Sequence, residues 1–391
     1  MKKFLYFLLI FSFCFPLCVF AEENIDGNGT TSSLIEHADS GILIEATTGK
    51  ILFEKEKDKE VAVASMTKMV AQIIILENIE NGTIKWDDIV TVSKNAADMG
   101  GSQIYISQGE KISIRDLMKG ISMASGNDAT VQMAEVIAGS EEKFVEMMNK
   151  KVKELGLKHT QFKNCTGLDA DGHYSSAYDM AMIAKELVVN HPEILKFSSV
   201  YEDYLREDTE NKFWLVNTNK LVRYYDGADG LKTGHTDNAK YCLAATAKKN
   251  NMRLIGIVLG EDNSKTRNSE AMGLLDYGFN TIKMNVLKKS GTKIKDIELD
   301  KATKDKISVV LKDDLGVIED KTSSNSKYKY SVKINSIKLP IKKGQVVGKV
   351  NVLENNKIVS TGNLISSENV SSMNYLELML KGFKDIVSGT I

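Results

Sequence analysis

Apolar and polar positions alternate along this chain with two different periods, and the change from one to the other divides it. Near the start, Ile42-Leu43-Ile44 and Ile51-Leu52-Phe53 flank the turn-forming tetrad Thr47-Thr48-Gly49-Lys50, a pattern that predicts a β-hairpin. From Met66 to Ile79 the side chains of Met69, Val70, Ile73, Ile74 and Leu76 fit a largely buried helix. Ile112 to Met123, Phe144 to Leu155 and Met180 to Leu187 keep the same helical spacing. Tyr241 to Ala247 and Arg253 to Leu259, joined by Lys248-Lys249-Asn250-Asn251, again predict paired strands. Strands at both ends of a segment with helices between them predict an α+β domain over residues 34–283 whose sheet draws on both ends.

Near residue 284 the period becomes two. Tyr328, Tyr330, Val332 and Ile334 alternate with Lys329, Ser331 and Lys333, and Val346, Gly348, Val350 and Val352 repeat the pattern, which predicts a small all-β domain over 284–370. Its many lysines read as a solvated outer sheet face. Beyond it, Tyr375, Leu376, Met379, Leu380, Phe383, Ile386 and Val387 lie on helical rows, with Glu377, Lys381, Lys384 and Asp385 elsewhere. Residues 371–391 are therefore expected to form an amphipathic helix, too short to span a bilayer but suited to lie in a membrane interface. At the other end, Lys2 and Lys3, an apolar run from Phe4 to Phe20 and the small residue Ala21 predict a cleaved secretory signal over 1–21. Phe15-Pro16-Leu17 before Cys18 lacks the small residues of a lipidation site. A polar, Gly-bearing lead-in fills 22–33.

Composition narrows the possible partners. With 51 basic and 52 acidic residues the net charge is −1, so the chain as a whole does not attract nucleic acid. A hydrophobic content of 42% over 391 residues can fill more than one core. Once the signal is removed only Cys165 and Cys242 remain, so export has produced no disulfide-dense scaffold, and both thiols read as structural. His37, His159, His173 and His191 show no metal-binding spacing, and phosphate-loop and dinucleotide glycine patterns are absent, so no metal or cofactor is expected.

Three short motifs carry the chemistry. Ser65-Met66-Thr67-Lys68 stands where Val61-Ala62-Val63-Ala64 enters the buried helix; one helical turn puts the Lys68 amine beside the Ser65 hydroxyl, at a helix N-terminus that favours developing negative charge. Alone this spacing is weak, since Ser290/Lys293, Ser324/Lys327 and Ser326/Lys329 share it. Ser125-Gly126-Asn127 follows a helical run and by itself reads as a helix stop in which Gly and Asn tolerate left-handed geometry. Lys232-Thr233-Gly234-His235-Thr236 enters a predicted strand, where Gly234 would let a substrate backbone lie against the edge and Lys232 supplies positive charge.

Ser-x-x-Lys, Ser-x-Asn and Lys-Thr-Gly in this order are the acylation set of β-lactamases and penicillin-binding proteins. With Asp229-Gly230-Leu231, the block Gly167-Leu168-Asp169-Ala170-Asp171-Gly172 and Tyr174-Ser175-Ser176-Ala177, the chain resembles the low-molecular-mass serine-type D-alanyl-D-alanine carboxypeptidases over nearly its whole length. The resemblance implies a β-lactamase/transpeptidase-like catalytic domain, an antiparallel sheet with helices, followed by the β-rich domain and tail. It implies an exported enzyme at the outer face of the membrane or in the cell wall. Such an enzyme trims peptidoglycan stem peptides ending in D-Ala-D-Ala and is acylated by β-lactam antibiotics. Ser65 would be the nucleophile, Lys68 its general base and Ser125 a proton relay. Asn127 would bind the substrate backbone, and the N–H groups of Ser65 and His235 would form the oxyanion hole. Lys232, Thr233 and Arg267 would face the substrate carboxylate. Asp169, Asp171 and His173 read as loop-stabilising.

A serine β-lactamase would need a water-activating carboxylate that the Asp169/Asp171 loop does not supply in the expected pattern. A cross-link endopeptidase uses the same residues. A non-catalytic wall-binding protein would not need Ser65, Lys68, Ser125, Asn127 and Lys232 all intact.

Overall fold

Five strands form the central sheet in the order Ile51–Lys55, Ser40–Glu45, Met252–Glu261, Lys240–Lys249 and Ala228–Thr236, each neighbouring pair antiparallel. They belong to a computed structural model that describes residues 34–207, 209–322 and 327–387; the expected signal and lead-in lie outside the described residues. The early hairpin and the later strand pair are those expected from the sequence, and both Asn250 and Asn251 adopt left-handed φ values, 49° and 64°, at the later turn.

The sheet is covered on both faces. Ile42, Ile44, Ala244, Ile255 and Ile257 point into a helical lobe, whereas Leu43, Leu243, Ala245, Leu254 and Val258 meet Ala271, Leu274 and Leu275 of the helix Ser264–Thr281. Successive strand residues face opposite sides, so double coverage makes these strands read as apolar runs rather than alternations. Within the lobe, the helix Lys68–Glu80 is buried on every side from Lys68 to Leu76, surrounded by the helices Asn127–Ala138, Glu141–Glu154 and Ala177–Asn190.

The single helix expected over 112–123 is interrupted. Lys111–Ser113 is a short strand paired with Ile89–Thr91, and the Ser113 hydroxyl accepts the Asp116 N–H at 3.0 Å, fixing the start of a helix at Ile114. The helix ends at Lys119 and widens into a π-helical turn, Gly120–Ala124, which delivers the chain to Ser125.

A second, β-rich domain follows. Its sheet runs Lys293–Glu298, Lys306–Leu311, Lys357–Ser366, Val346–Glu354 and Lys329–Ile334, with Ile282–Lys288 and Leu315–Asp320 paired beside it. Val309, Leu311, Val350, Val352 and Leu364 form its core. Two details depart from the period-two reading. Lys329–Ile334 is an edge strand beyond the core, leaving Tyr330 and Val332 exposed. A bulge between Val346 and Gly348 turns Val346 outward and buries Val347 in its place.

The terminal helix spans Tyr375–Val387. It begins with a reciprocal cap, the Asn374 side chain accepting from Glu377 N at 2.9 Å and the Glu377 carboxylate from Asn374 N at 2.8 Å. Tyr375, Leu376, Met379 and Leu380 are exposed. No helix among the described residues is long and apolar enough to cross a membrane. Cys165 and Cys242 are buried and unpaired with each other.

Candidate active site

The segment carrying Ser65 is held before it turns. Val61 and Ser175 exchange backbone hydrogen bonds at 2.8 and 3.0 Å, Ala64 adopts a left-handed φ of 47°, and Ala64–Thr67 forms a 3-10 turn leading into the helix at Lys68. A turn of α-helix was the expectation; in the tighter 3-10 turn residues i and i+3 eclipse, which aligns Lys68 with Ser65 more directly. Left-handed backbone at a residue with a Cβ costs about 1 kcal/mol, the kind of local strain that the packing around a functional turn over-determines.

Lys68 Nζ lies 2.7 Å from Ser65 Oγ, 2.7 Å from Asn127 Oδ1 and 2.6 Å from the carbonyl of Thr166. Burial lowers its pKa from 10.5 to about 7. The geometry suits the neutral amine: two partners are acceptors only and take its two N–H groups, leaving the lone pair to accept the Ser65 hydroxyl proton. Thr166 reaches this position through a loop in which Asn164 Oδ1 accepts the Gly167 N–H at 2.7 Å. Gly167, at φ 85°, passes so close beneath the turn carrying Ser65 that a Cβ there would sit 1.9 Å from the Ala64 carbonyl. Further along, His173 is buried and burial lowers its pKa to about 4. It accepts the Lys163 N–H on Nδ1 at 3.2 Å, so Nε2 carries the hydrogen donated to Thr67 Oγ1 at 2.8 Å. Asp169 accepts from Thr236 Oγ1 at 2.8 Å, tying the same loop to the edge strand.

In the second motif the left-handed residue is Ser125 itself, at φ 62° and ψ 30°, whereas Gly126 has a negative φ of −56° and Asn127 opens the helix Asn127–Ala138. This corrects the helix-stop reading, in which Gly and Asn take that conformation. Asn127 Nδ2 donates to the Gly100 carbonyl at 2.7 Å, fixing the amide so that its oxygen faces Lys68. Ser125 Oγ accepts from Lys232 Nζ at 2.8 Å. Lys232 is fully buried, and burial, reinforced by the nearby Lys68 and Arg267 charges, pushes its pKa well below the usual lysine value.

Lys232, Thr233, Gly234 and His235 lie on the edge strand Ala228–Thr236. Thr233 Oγ1 donates to Thr218 Oγ1 at 2.8 Å. Gly234 serves a different close approach from the expected one: a Cβ would lie 2.6 Å from the chain's own Val63 carbonyl, so glycine lets the edge strand dock against the approach to Ser65. Arg267, on the helix Ser264–Thr281, is buried and bonds the Asn268 side chain through Nε at 3.1 Å and Nη2 at 2.8 Å. No carboxylate among the described residues pairs with it. A cleft of about 420 Å³ gathers Ser65, Ser125, Thr233, Gly234, His235 and Arg267, with Lys68, Asn127 and Lys232 beneath its floor.

All nine residues singled out in the sequence thus converge. The decoy Ser290 lies in the second domain, donating to the Lys312 carbonyl at 2.7 Å, and Ser324 and Ser326 lie outside the described residues. Sequence reasoning missed Thr218, Ser102 and the Thr166 and Gly100 carbonyls; only Thr166 had a signal, standing immediately before the Gly167 block.

Comparison with known proteins places the chain among relatives. The profile described as D-alanyl-D-alanine carboxypeptidase matches residues 28–263, and that of the penicillin-binding protein 5 C-terminal domain matches 283–372. The chain is 42% identical over 386 residues to D-alanyl-D-alanine carboxypeptidase DacF of Bacillus subtilis (strain 168), covering 98% of this chain and 99% of the relative. Its fold is similar to penicillin binding protein 5 from Haemophilus influenzae, with 31% identity, coverage of 86% and 98%, and a TM-score of 0.66. Penicillin-binding protein D2 from Listeria monocytogenes, in its ampicillin-bound form, is similar at 30% identity over 62% of this chain and 97% of that one, with a TM-score of 0.56.

Proposed function

The chain belongs to the D-alanyl-D-alanine carboxypeptidase family, and on that premise we propose how its cleft removes the terminal D-alanine of a peptidoglycan stem peptide. Ser65 Oγ attacks the carbonyl between the two D-alanines while its proton passes to neutral Lys68. The C–N bond breaks, Ser125 relays a proton from the amine network to the departing D-alanine, and water then hydrolyses the Ser65 ester. Asn127 holds the substrate backbone, and the N–H groups of Ser65 and His235 receive the oxyanion. Lys232, Thr233 and Arg267 bind the terminal carboxylate, which is drawn in by the Arg267 guanidinium at that end of the cleft. The observation that carries this reading is the buried Lys68 amine at 2.7 Å from Ser65 Oγ, its other two contacts being acceptors. A β-lactam ring, presenting a strained amide and a carboxylate in the same relation, would acylate Ser65 covalently.

Mass spectrometry of a stem pentapeptide incubated with the enzyme is expected to show loss of one alanine. Amidating the terminal carboxylate removes its charge, and charge-assisted hydrogen bonds contribute roughly 1.5–3 kcal/mol each, so kcat/KM should fall by about one to two orders of magnitude. Arg267→Ala should impair cleavage of the acid more than of the amide, a difference that a double cycle isolates. Equal cleavage of acid and amide by the native enzyme would overturn the carboxypeptidase reading in favour of cross-link cleavage.

Residues 1–21 have the composition of an export signal, and the exposed Leu376, Met379 and Leu380 suit the tail helix to a membrane interface. Export to the outer face of the membrane follows from the two together. Deleting residues 372–391 is expected to move the protein from the membrane to the soluble fraction with peptidase activity retained. A tail-less protein that still sediments with membranes would refute anchoring.

A further inference from the structure

Behind the cleft, two carboxyl groups are buried against each other. Glu261 ends the strand Met252–Glu261 without exposure, and Glu270 stands three residues after Arg267 on the helix Ser264–Thr281. Oε1 of Glu270 accepts the backbone N–H groups of Glu36 at 2.9 Å and His37 at 3.0 Å. Oε2 of Glu270 and both oxygens of Glu261 meet no hydrogen-bond donor among the described residues. Two ionised carboxylates in this position would repel with little solvent to screen them, whereas a single proton held between them satisfies the orphaned oxygens. Burial, then contact with Glu270, pushes the Glu261 pKa up to about 8. Burial works against the Glu270 charge too, but the adjacent Glu261 carboxyl and the amides of His37, Glu36 and Ala38 outweigh it and hold that carboxyl below its ordinary range.

The surrounding charges do not neutralise the pair. Asp262 follows Glu261 in the chain, and Lys240 on the adjoining strand is engaged by Asp262 at 2.8 Å. On the N-terminal segment stand Glu36, His37 and Asp39. Lys55, from the far edge strand, donates to the carbonyls of Ile35, Glu36 and Ala38 at 3.2, 3.3 and 2.7 Å. Arg267 shares the helix but bonds Asn268.

We propose that Glu261 and Glu270 are a proton-sharing positioning pair that locks the end of the sheet, the segment 34–38 and the first turns of the Ser264–Thr281 helix together, and so holds Arg267 at the carboxylate end of the cleft. The proposal rests on the role given to Arg267 above. Below about pH 8 the pair keeps one proton; above it the second charge appears, the joint loosens and Arg267 is released. The consequence is a weaker grip on the substrate carboxylate, read in KM rather than in kcat.

The test uses the full chain with free-acid and amidated pentapeptides across pH 6 to 10. For the native enzyme, KM for the acid is expected to climb above pH 8 by up to about tenfold per unit, with little change for the amide. E261Q keeps a hydrogen-bond donor to Glu270 but cannot titrate, so its KM should stay flat through this range while its neutral-pH activity matches native; E261A should show the raised KM at every pH. Infrared difference spectra supply a readout independent of substrate: a buried protonated-carboxyl band present in native protein at neutral pH, lost on raising the pH through 8, and missing in E261Q. Persistence of that band in E261Q overturns the shared proton whatever the substrate kinetics show. Loss of the band with the KM rise unchanged in E261Q overturns the coupling to Arg267, and an equal KM rise for the amide does so even where E261Q fails to fold.

Discussion

Ser65→Ala is expected to abolish covalent labelling by a fluorescent penicillin and to lower pentapeptide turnover by about four to six orders of magnitude, the scale on which removing an acyl-enzyme nucleophile acts. In free-energy terms that is about 5 to 8 kcal/mol of transition-state stabilisation. Folding should be nearly unaffected. The Ser65 side chain is only partly buried, its hydroxyl contacts Lys68 Nζ at 2.7 Å and the Thr166 carbonyl at 3.5 Å, and Lys68 keeps two other partners when it is gone. A change below about 1 kcal/mol is therefore expected by thermal or denaturant unfolding. Labelling undiminished in a folded Ser65→Ala protein would remove Ser65 from the mechanism. Replacing Ser290, whose hydroxyl is spent on the Lys312 carbonyl, should change nothing and serves as the control for the shared spacing.

Lys68→Met should cost about two to four orders of magnitude in acylation rate, the usual range for losing a positioned general base. Lys68→Arg should do no better, because a guanidinium stays charged at every relevant pH and cannot accept the serine proton. The native pH profile gives the same conclusion without a mutation. Only the neutral amine is a base, and burial places the Lys68 pKa at about 7, so acylation should be half-maximal near pH 7 and fall about tenfold per unit below it. Stopped-flow acylation by a β-lactam reads this limb directly; an acylation rate independent of pH between 5 and 8 would exclude Lys68 as the base. The same shift acts on stability with a definite sign. Its folded pKa lies below the unfolded value of 10.5, so between pH 7 and 10.5 the unfolded chain holds the extra proton and this group's contribution to stability rises with pH. The enzyme thus carries a buried amine that is least costly where it is also a base.

Much of the architecture is legible in the chain itself because it depends on period and on turn chemistry. The early hairpin, the central helix, the late strand pair and the β-rich second domain all follow from apolar spacing, which reports how many faces of an element are covered. The misreadings share a cause. Val346 and Val347 exchange faces at a bulge, and Lys329–Ile334 lies at the sheet edge beyond the core, since neither a bulge nor an edge position alters the alternation of the residues themselves.

For the site, residue identity and order by themselves pointed to the side chains given a role in the proposed chemistry, because few functional groups can attack a carbonyl, take its proton or hold a carboxylate, and their combination is rarer than any one of them. Tertiary structure alone decided what state those groups are in. Lys68 and Thr166 meet across 98 residues and Lys232 and Ser125 across 107, and the partner of Lys68 at Thr166 is a backbone carbonyl, which every residue possesses and no sequence marks. Both lysines owe their lowered pKa to burial, a property of the packed surroundings and not of lysine. Ser125 takes the left-handed turn that its neighbours Gly126 and Asn127 were better suited to, at the junction between the π-helical turn before it and the helix after it. Glu261 and Glu270 are nine positions apart in the chain and no motif marks them; only the fold buries them side by side, and there the cost of two buried charges makes a shared proton the stable arrangement.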